Sequence, residues 1–399
     1  MKKRIHVYTI LFTTIFFVSN SFAQSDTTNV VIGKFFNFKS TVLNEDRPIG
    51  IYLPSNYSST TARYPVLYLL DGEEHFHYAT GQIAYLSDAG TLPQMIIVAV
   101  ANTNKNTVRN RMRDLTPTKY MLNPLGVVDS SLSITGNAEN FYKFLKNELI
   151  PMIDIKYRTQ PFRILEGHSL GGLFATFVML EHPDTFNGYI AISPSLSWGE
   201  SALLKKASSI LPYKFDRNCY YYISAGEENE IHVKSILEFQ ELLKEKKPEN
   251  LLWKGKLYPD EGHNSVPYIT MFEALKFFYN SWSFSPKGLY ELDTFFPLEH
   301  VINHYTTLTQ KYGYEIKAPK FLLNFIGNKS IRLKRPEDAV KVFEFILKEY
   351  PPSSGAYDSL ASAYLAAGNK EKGILSYKKS LELNPDNKNA KEILEKLTK

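Results

Sequence analysis

The hydrophobic and polar positions of the chain follow two rhythms. Over residues 30–282, short apolar, β-branched and aromatic runs predict strands at 30–38, 48–53, 65–70, 95–101, 163–166, 188–192, 220–225 and 252–258. Between the later runs, apolar residues recur at helical spacing over 138–150, 170–181, 233–246 and 267–282. Strand–helix alternation implies a mostly parallel sheet covered on both faces. The first two runs are too close for an intervening helix, so an antiparallel edge is expected there. Residues 103–133 show no periodicity and are rich in Arg, Pro, Thr and Asn. They read as one long loop, a feature that often carries function.

From about Pro319 the pattern is helical and repeats. Ala339, Phe343 and Pro351 recur 34 residues later as Gly373, Tyr377 and Pro385. Ile326-Gly327 recurs in the same way as Leu360-Ala361. A unit carrying Tyr357, Leu360, Ala361, Tyr364, Gly368, Tyr377 and Pro385 resembles the tetratricopeptide repeat. The units are 320–353 and 354–387, and Leu381, Ile393, Leu394 and Leu397 predict a closing helix. Such repeats bind peptide segments or serve structurally, as a brace or a dimer contact. Both roles stay open, because two units cannot bury their apolar face alone.

The first residues read as an address. Lys2-Lys3-Arg4 precedes an apolar stretch, and Ser21-Phe22-Ala23 ends it with small residues at a cleavage point, the pattern of a secretory signal. The apolar stretch is short of the ~20 residues a membrane helix needs. The formal charge of +5 falls to +2 once residues 1–23 are removed. A near-neutral chain excludes a nucleic-acid binder that works by bulk charge. The one cysteine, Cys219, excludes an internal disulfide or a multi-cysteine metal site.

Candidate chemistry sits in Gly167-His168-Ser169-Leu170-Gly171, a G-x-S-x-G sequence with a strand before it and a helix after it. That context calls for a sharp turn that lifts a Ser hydroxyl out of the sheet, with flanking glycines where a Cβ would collide. A Ser nucleophile needs a base, and the base needs an orienting acid. On this kind of elbow the acid and then the base follow the nucleophile along the chain. His263 lies just past the last strand and is the expected base. His300 and His304, at i and i+4, show no third metal ligand and read as surface or linker residues. The acid is expected in Gly226-Glu227-Glu228-Asn229-Glu230, with Glu228 preferred and Glu230 in reserve. An oxyanion needs two backbone donors, expected to be the N–H groups of Leu170 and, after the strand at 65–70, of Glu73. Trp198 could line a substrate pocket or simply fill core. Arg111, with Arg109 and Arg113, could meet an anionic or catechol-bearing substrate or form ion pairs with Asp114 and its neighbours.

The set Leu70-Asp71-Gly72, Gly167-His168-Ser169-Leu170-Gly171-Gly172, Ser193-Pro194-Ser195 and Glu261-Gly262-His263 resembles the putative-esterase branch of the α/β-hydrolases. That branch includes siderophore trilactone esterases, feruloyl esterases, S-formylglutathione hydrolases and mycolyltransferases. The likeness runs from about Lys34 to Trp282, and the stretch Arg111–Pro117 with residues 136–157 looks most like the siderophore-esterase subgroup. It implies an α/β-hydrolase fold, an ester-cleaving Ser169 and His263 in the family's base position. The Glu-rich acid loop and the repeat-containing tail depart from the familiar siderophore enzymes.

The expected protein is a secreted or periplasmic serine esterase: signal at 1–23, an α/β-hydrolase domain at 24–317 and a small all-α repeat domain at 318–399. Ser169, His263 and Glu228 carry the chemistry without metal or organic cofactor. The substrate is a small-molecule or carbohydrate-linked ester, of siderophore type or, alternatively, a feruloyl or acetyl-carbohydrate ester. A peptide partner is possible at the repeats, and no membrane span follows the signal. A reading of another class is a non-catalytic binding module that uses the helical repeats. The intact serine, histidine and carboxylates argue against it.

Overall fold

The structure, a computed structural model, describes residues 29–102, 107–123 and 126–398. The expected signal at 1–23 lies outside the described residues. Among the described residues eight strands form one sheet: β1 (Lys34–Ser40), β2 (Glu45–Tyr52), β3 (Tyr64–Leu70), β4 (Ile96–Val100), β5 (Thr159–His168), β6 (Gly188–Ile192), β7 (Lys214–Ala225) and β8 (Glu249–Leu257). Their order is β1-β2-β4-β3-β5-β6-β7-β8. β1 and β2 form the antiparallel edge, and β4 through β8 pair in parallel. Every residue of β3, β4 and β6 is buried. These strands therefore read as continuous apolar runs rather than alternating ones, because helices cover both faces.

The helices are α1 (Gly72–Asp88), α2 (Thr107–Leu115), α3 (Ala138–Phe144), α4 (Ile150–Lys156), α5 (Leu170–Glu181), α6 (Trp198–Ile210), α7 (Glu230–Lys246), α8 (Val266–Phe278) and α9 (Leu298–Tyr312). α3 and α4 are joined by a π-helical turn, Leu145–Leu149. Alternate strand residues feed two apolar clusters. Tyr68, Leu70, Val98, Tyr221 and Ile223 pack with α3, α4, α5, α6 and α7. Leu67, Leu69, Ile97, Tyr220 and Tyr222 pack with α1, α8 and α9. α5 is buried from Leu170 through Leu180, as a helix apolar on all sides must be.

Three stretches depart from the pattern-based expectation. The presumed loop at 103–133 contains α2, a short 3-10 turn at Ser130–Ile134 and a bridge between Leu122 and Val128. α2 is short and mostly polar: Met112 and Leu115 reach the core, and ion pairs tie the helix to other elements, Arg111 to Asp71, Arg113 to Glu45 and Asp114 to Arg47. Two further helices, α1 and α6, also lacked a clean period. α1 buries His75, Thr80 and Gln82 among its apolar residues. The first turn of α6 is left-handed at Gly199, Glu200 and Ser201.

The C-terminal helices are α10 (Lys320–Arg332), α11 (Pro336–Glu349), α12 (Ser354–Ala366), α13 (Lys370–Leu383) and α14 (Lys388–Thr398). α12 and α13 begin 34 residues after α10 and α11 respectively. Leu322, Ile326, Val342, Phe343 and Ile346 belong to the same apolar cluster as Phe278, Tyr312 and the strand residues above them. The Tyr312 hydroxyl also donates to the Phe278 carbonyl at 2.9 Å. Leu381, Ile393 and Leu394 close over Ala361, Tyr377 and Ala390. Phe343 is fully buried, its ring edge pressed on Gly327. Phe343→Ala should lower the unfolding free energy by about 3–5 kcal/mol, read by urea denaturation. A loss below about 1 kcal/mol would mean that the α10–α11 contact adds little to the fold.

Candidate active site

The site is assembled where parallel strands end. β5 runs into Ser169, whose backbone has φ 59° and ψ −114°, a region that strains any residue bearing a Cβ. Three hydrogen bonds hold the turn. Ser169 N–H donates to the Ile192 carbonyl (2.9 Å), and the Ser169 carbonyl accepts from the N–H groups of Leu173 and Ser195, each at 3.0 Å. A Cβ on residue 167 would stand 2.3 Å from the Gly171 carbonyl carbon, so only glycine fits there. The Ser169 hydroxyl is 3.3 Å from the Ser195 hydroxyl. Among the described residues no hydrogen bond joins Ser169 to His263. Such a bond is often long before substrate arrives.

The turn between β3 and α1 lies alongside. Asp71 there has a left-handed backbone (φ 50°, ψ 44°) and is buried. Arg111 grips it with two hydrogen bonds, Nε to Oδ1 at 2.8 Å and Nη2 to Oδ2 at 2.9 Å, and donates from Nη2 to the His168 carbonyl at 2.9 Å. Asn102 adds a bond to Asp71 Oδ1 at 2.8 Å. Burial works against the Asp71 charge, but Arg111 and Asn102 outweigh it and hold the carboxyl below its ordinary pKa. Of the two roles open to Arg111, ion pairing is the one its geometry displays, with Asp71 rather than Asp114 as partner. Arg113 does pair with Asp114, and Arg109 is exposed. Leu170 is the first residue of α5 and Glu73 the second of α1, so their N–H groups have no acceptor within their own helices. The Glu73 carboxylate accepts from Asn102. Trp198 is half-buried, donates from its indole to the Thr118 carbonyl at 3.0 Å and packs edge-on against Tyr120.

The loops after β7 and β8 are stitched together. Tyr258 N–H donates to the Ala225 carbonyl at 2.8 Å, and Glu227 N–H to the Glu261 carbonyl at 2.6 Å. A Cβ on residue 226 would lie 2.3 Å from that Glu261 oxygen, so glycine is required for the approach. This register turns Glu228 inward and leaves Glu227 and Glu230 exposed. Glu228 Oε2 accepts from His263 Nδ1 at 2.7 Å. Glu228 Oε1 accepts from the Ser193 hydroxyl and from Gly226 N–H. Burial would raise the Glu228 pKa, but the bonds from His263 and Ser193 and the charges of His232 and His263 bring it down to about 2.

Two residues complete the site: His232, not singled out from the sequence, and Ser193, named there only as part of a motif and without a role. His232 Nε2 lies 3.1 Å from Glu228 Oε2 and 3.2 Å from the Ser193 carbonyl. It stands four residues after Glu228, which was the available signal. Ser193 has φ 41° and is fully buried. His168 packs its ring 4.5 Å from that of His263, and burial, with the neighbouring His263, His75 and Arg111, holds its pKa down at about 3. A neutral imidazole therefore faces the candidate base. His304 donates to the Trp282 carbonyl, and His300 is exposed, so neither joins this group.

Comparison with known proteins agrees with this architecture. The family model described as "Putative esterase" matches residues 40–250. The ferri-bacillibactin esterase BesA of Bacillus subtilis is 31% identical over 248 residues, covering 59% of this chain and 86% of that protein. An IroE-like serine hydrolase from Shewanella oneidensis superposes with a TM-score of 0.69 at 26% identity, over 80% of this chain and all of that one. An uncharacterised protein from Capnocytophaga ochracea shares the fold over 92% of this chain and 99% of its own, with a TM-score of 0.68 at 18% identity. With its elbow, its sheet and a family match over more than half its length, the chain belongs to the Putative esterase family and is a carboxylic-ester hydrolase.

Proposed function

We propose that the chain is a secreted serine esterase that cleaves a siderophore-type ester through Ser169, His263 and Glu228. The observation that carries the mechanism is the 2.7 Å bond between Glu228 Oε2 and His263 Nδ1, held beside the elbow by the stitched loops. That bond fixes the imidazole with its Nδ1 proton toward Glu228, leaving the Nε2 lone pair to take the Ser169 proton. The serine oxygen attacks the ester carbonyl, and the N–H groups of Leu170 and Glu73 stabilise the oxyanion. His263 returns the proton to the leaving alcohol, then activates water to release the acyl group. No metal or organic cofactor takes part. The siderophore class rests on relatives such as the ferri-bacillibactin esterase. Secretion rests on the residue pattern at 1–23, and among the described residues no helix is long and apolar enough to cross a membrane.

In the same reading α10–α13 are two tetratricopeptide units, supported by their 34-residue offset. They act as a brace rather than a peptide reader, because their apolar residues share a cluster with the sheet.

Ser169→Ala should lower kcat on p-nitrophenyl acetate by at least about a thousandfold with an unchanged circular dichroism spectrum, and should abolish fluorophosphonate labelling. Retention of more than about a tenth of the activity would remove Ser169 from the role of nucleophile. A parallel panel of trilactone, feruloyl and acetyl-sugar esters reads the substrate class, and preference for a feruloyl or acetyl ester would overturn the siderophore assignment.

Glu228→Gln should cost less than the loss of Ser169, while Glu230→Gln should be nearly silent; the reverse ranking in kcat would transfer the role to Glu230. Acid stability gives a second reading. The folded-state pKa of Glu228 lies below its unfolded value, so its contribution is full above the unfolded value and disappears as pH falls toward about 2. The stability gap between wild type and Glu228→Gln, followed by urea denaturation, should close as the pH falls through that window.

A chain ending at Lys317 should hydrolyse p-nitrophenyl acetate at a similar kcat but melt at a lower temperature, since the cluster around Leu322, Val342 and Phe343 is removed. Lost turnover in a truncated chain that still folds would show that the tail helps to build the site.

A further inference from the structure

We propose that Glu228, His232 and His263 also form a binding site for a divalent transition-metal ion, with Zn²⁺ the best fit, and that occupation of the site switches the esterase off. The inference rests on the assignment of His263 as the base. Each of the three side chains offers one ligand atom, and these atoms lie within 4.8 Å of one another. Glu228 Oε2 is 2.7 Å from His263 Nδ1 and 3.1 Å from His232 Nε2. Around a tetrahedral zinc with bonds of about 2.0–2.1 Å, neighbouring ligand atoms stand roughly 3.3–3.4 Å apart. Admitting the ion therefore takes shifts of roughly 0.2–0.7 Å at these two contacts, and the two imidazole nitrogens, within 4.8 Å of each other, must settle at the same spacing.

The cluster is already ordered. Only 6% of the Glu228 side chain and 9% of that of His232 are exposed. The Ser193 hydroxyl lies 3.2 Å from His232 Nε2 and 3.5 Å from His263 Nδ1, where it would hydrogen-bond a metal-bound water. Two imidazole nitrogens and one carboxylate make a borderline donor set that selects zinc over Mg²⁺ or Ca²⁺. A groove of about 550 Å³ opens on the same loop, lined by Glu227, Glu228, Glu230 and Lys234. Val233, Leu237, Leu257 and Pro259 form the rest of its wall, so the carboxylates of Glu227 and Glu230 stand at a partly apolar mouth beside Glu228.

Inhibition follows from the tautomer. At rest His263 carries its proton on Nδ1, toward Glu228, and presents an Nε2 lone pair to Ser169. A metal needs the Nδ1 lone pair. The Nδ1 proton leaves to solvent and Nε2 takes one up, so the ring stays neutral but can no longer accept the serine proton. His232 makes the matching change, moving its proton from Nε2 to Nδ1. No bond to carbon forms or breaks, and no electron moves.

The test uses the full chain. Calorimetric titration of Ser169→Ala with ZnSO₄ should show one site, weakened at least about tenfold when His232→Gln is added. Co²⁺ in place of zinc should give the intense visible bands of a tetrahedral nitrogen-ligated ion, a signature that needs no second variant. In wild type, Zn²⁺ should cut p-nitrophenyl acetate turnover at least about tenfold, EDTA should restore it and Mg²⁺ should have no effect. His232→Gln, compared with its own metal-free rate, should lose that sensitivity. Absence of stoichiometric zinc binding in Ser169→Ala, or binding unchanged by His232→Gln in a folded protein, would overturn the site. A Ser169→Ala protein that remains active would sink the nucleophile assignment instead, and the zinc titration would still report on the cluster.

Discussion

Parallel pairing of β5, β6, β7 and β8 is the constraint on which the site depends. Because these strands run the same way, their carboxyl ends finish at one edge of the sheet. That edge receives Ser169 from β5, Ser193 from β6, Glu228 from β7 and His263 from β8. Proximity alone does not set register. The hydrogen bonds from Glu227 to Glu261 and from Tyr258 to Ala225 do so, and they need a residue without a side chain at position 226. One bulky residue there would push the loop after β7 from the loop after β8 and turn Glu228 away from His263.

Charge is distributed around the elbow with care for burial. A carboxylate removed from water is costly unless hydrogen bonds and an opposite charge replace the solvent. Asp71 receives Arg111 and Asn102 and stays ionised. Glu228 receives His263, Ser193 and His232 and stays ionised. Glu166, fully buried on β5 three residues before Ser169, has no cation to offset burial, and the charge of Asp71 adds to the penalty, so its pKa rises well above the ordinary value. A neutral Glu166 and a neutral His168 thus precede Ser169 on β5, while the charged Glu228 faces His263. Arg111 ties the two sides by holding Asp71 and the His168 carbonyl at once.

The tail shows the same economy in apolar form. Two helical hairpins leave one face uncovered. Here that face meets α8 and α9, and one cluster runs from Leu67 in the sheet to Leu360 in α12. A smaller cluster under α14 closes the far end. These C-terminal helices therefore complete the core on one side of the sheet, at a distance along the chain from every group proposed to act on substrate.

The strands, the elbow and the position of His263 were legible in the sequence, because buried parallel strands are continuous apolar runs and a serine flanked by glycines between strand and helix permits few geometries. The 34-residue rhythm of the tail was legible for a similar reason, since repeated packing demands repeated residues. α2 was not legible: its 9 residues carry too few apolar positions to establish a period, and Arg111 and Arg113 hold it by reaching carboxylates on other elements, contacts that a hydrophobic pattern does not register. Nor could the sequence choose among three glutamates in one loop, or reveal that His232 shares Glu228 with His263. Those choices depend on side-chain direction, which shifts with every residue of a turn, and here a backbone stitch between two loops separated by 35 residues fixed it.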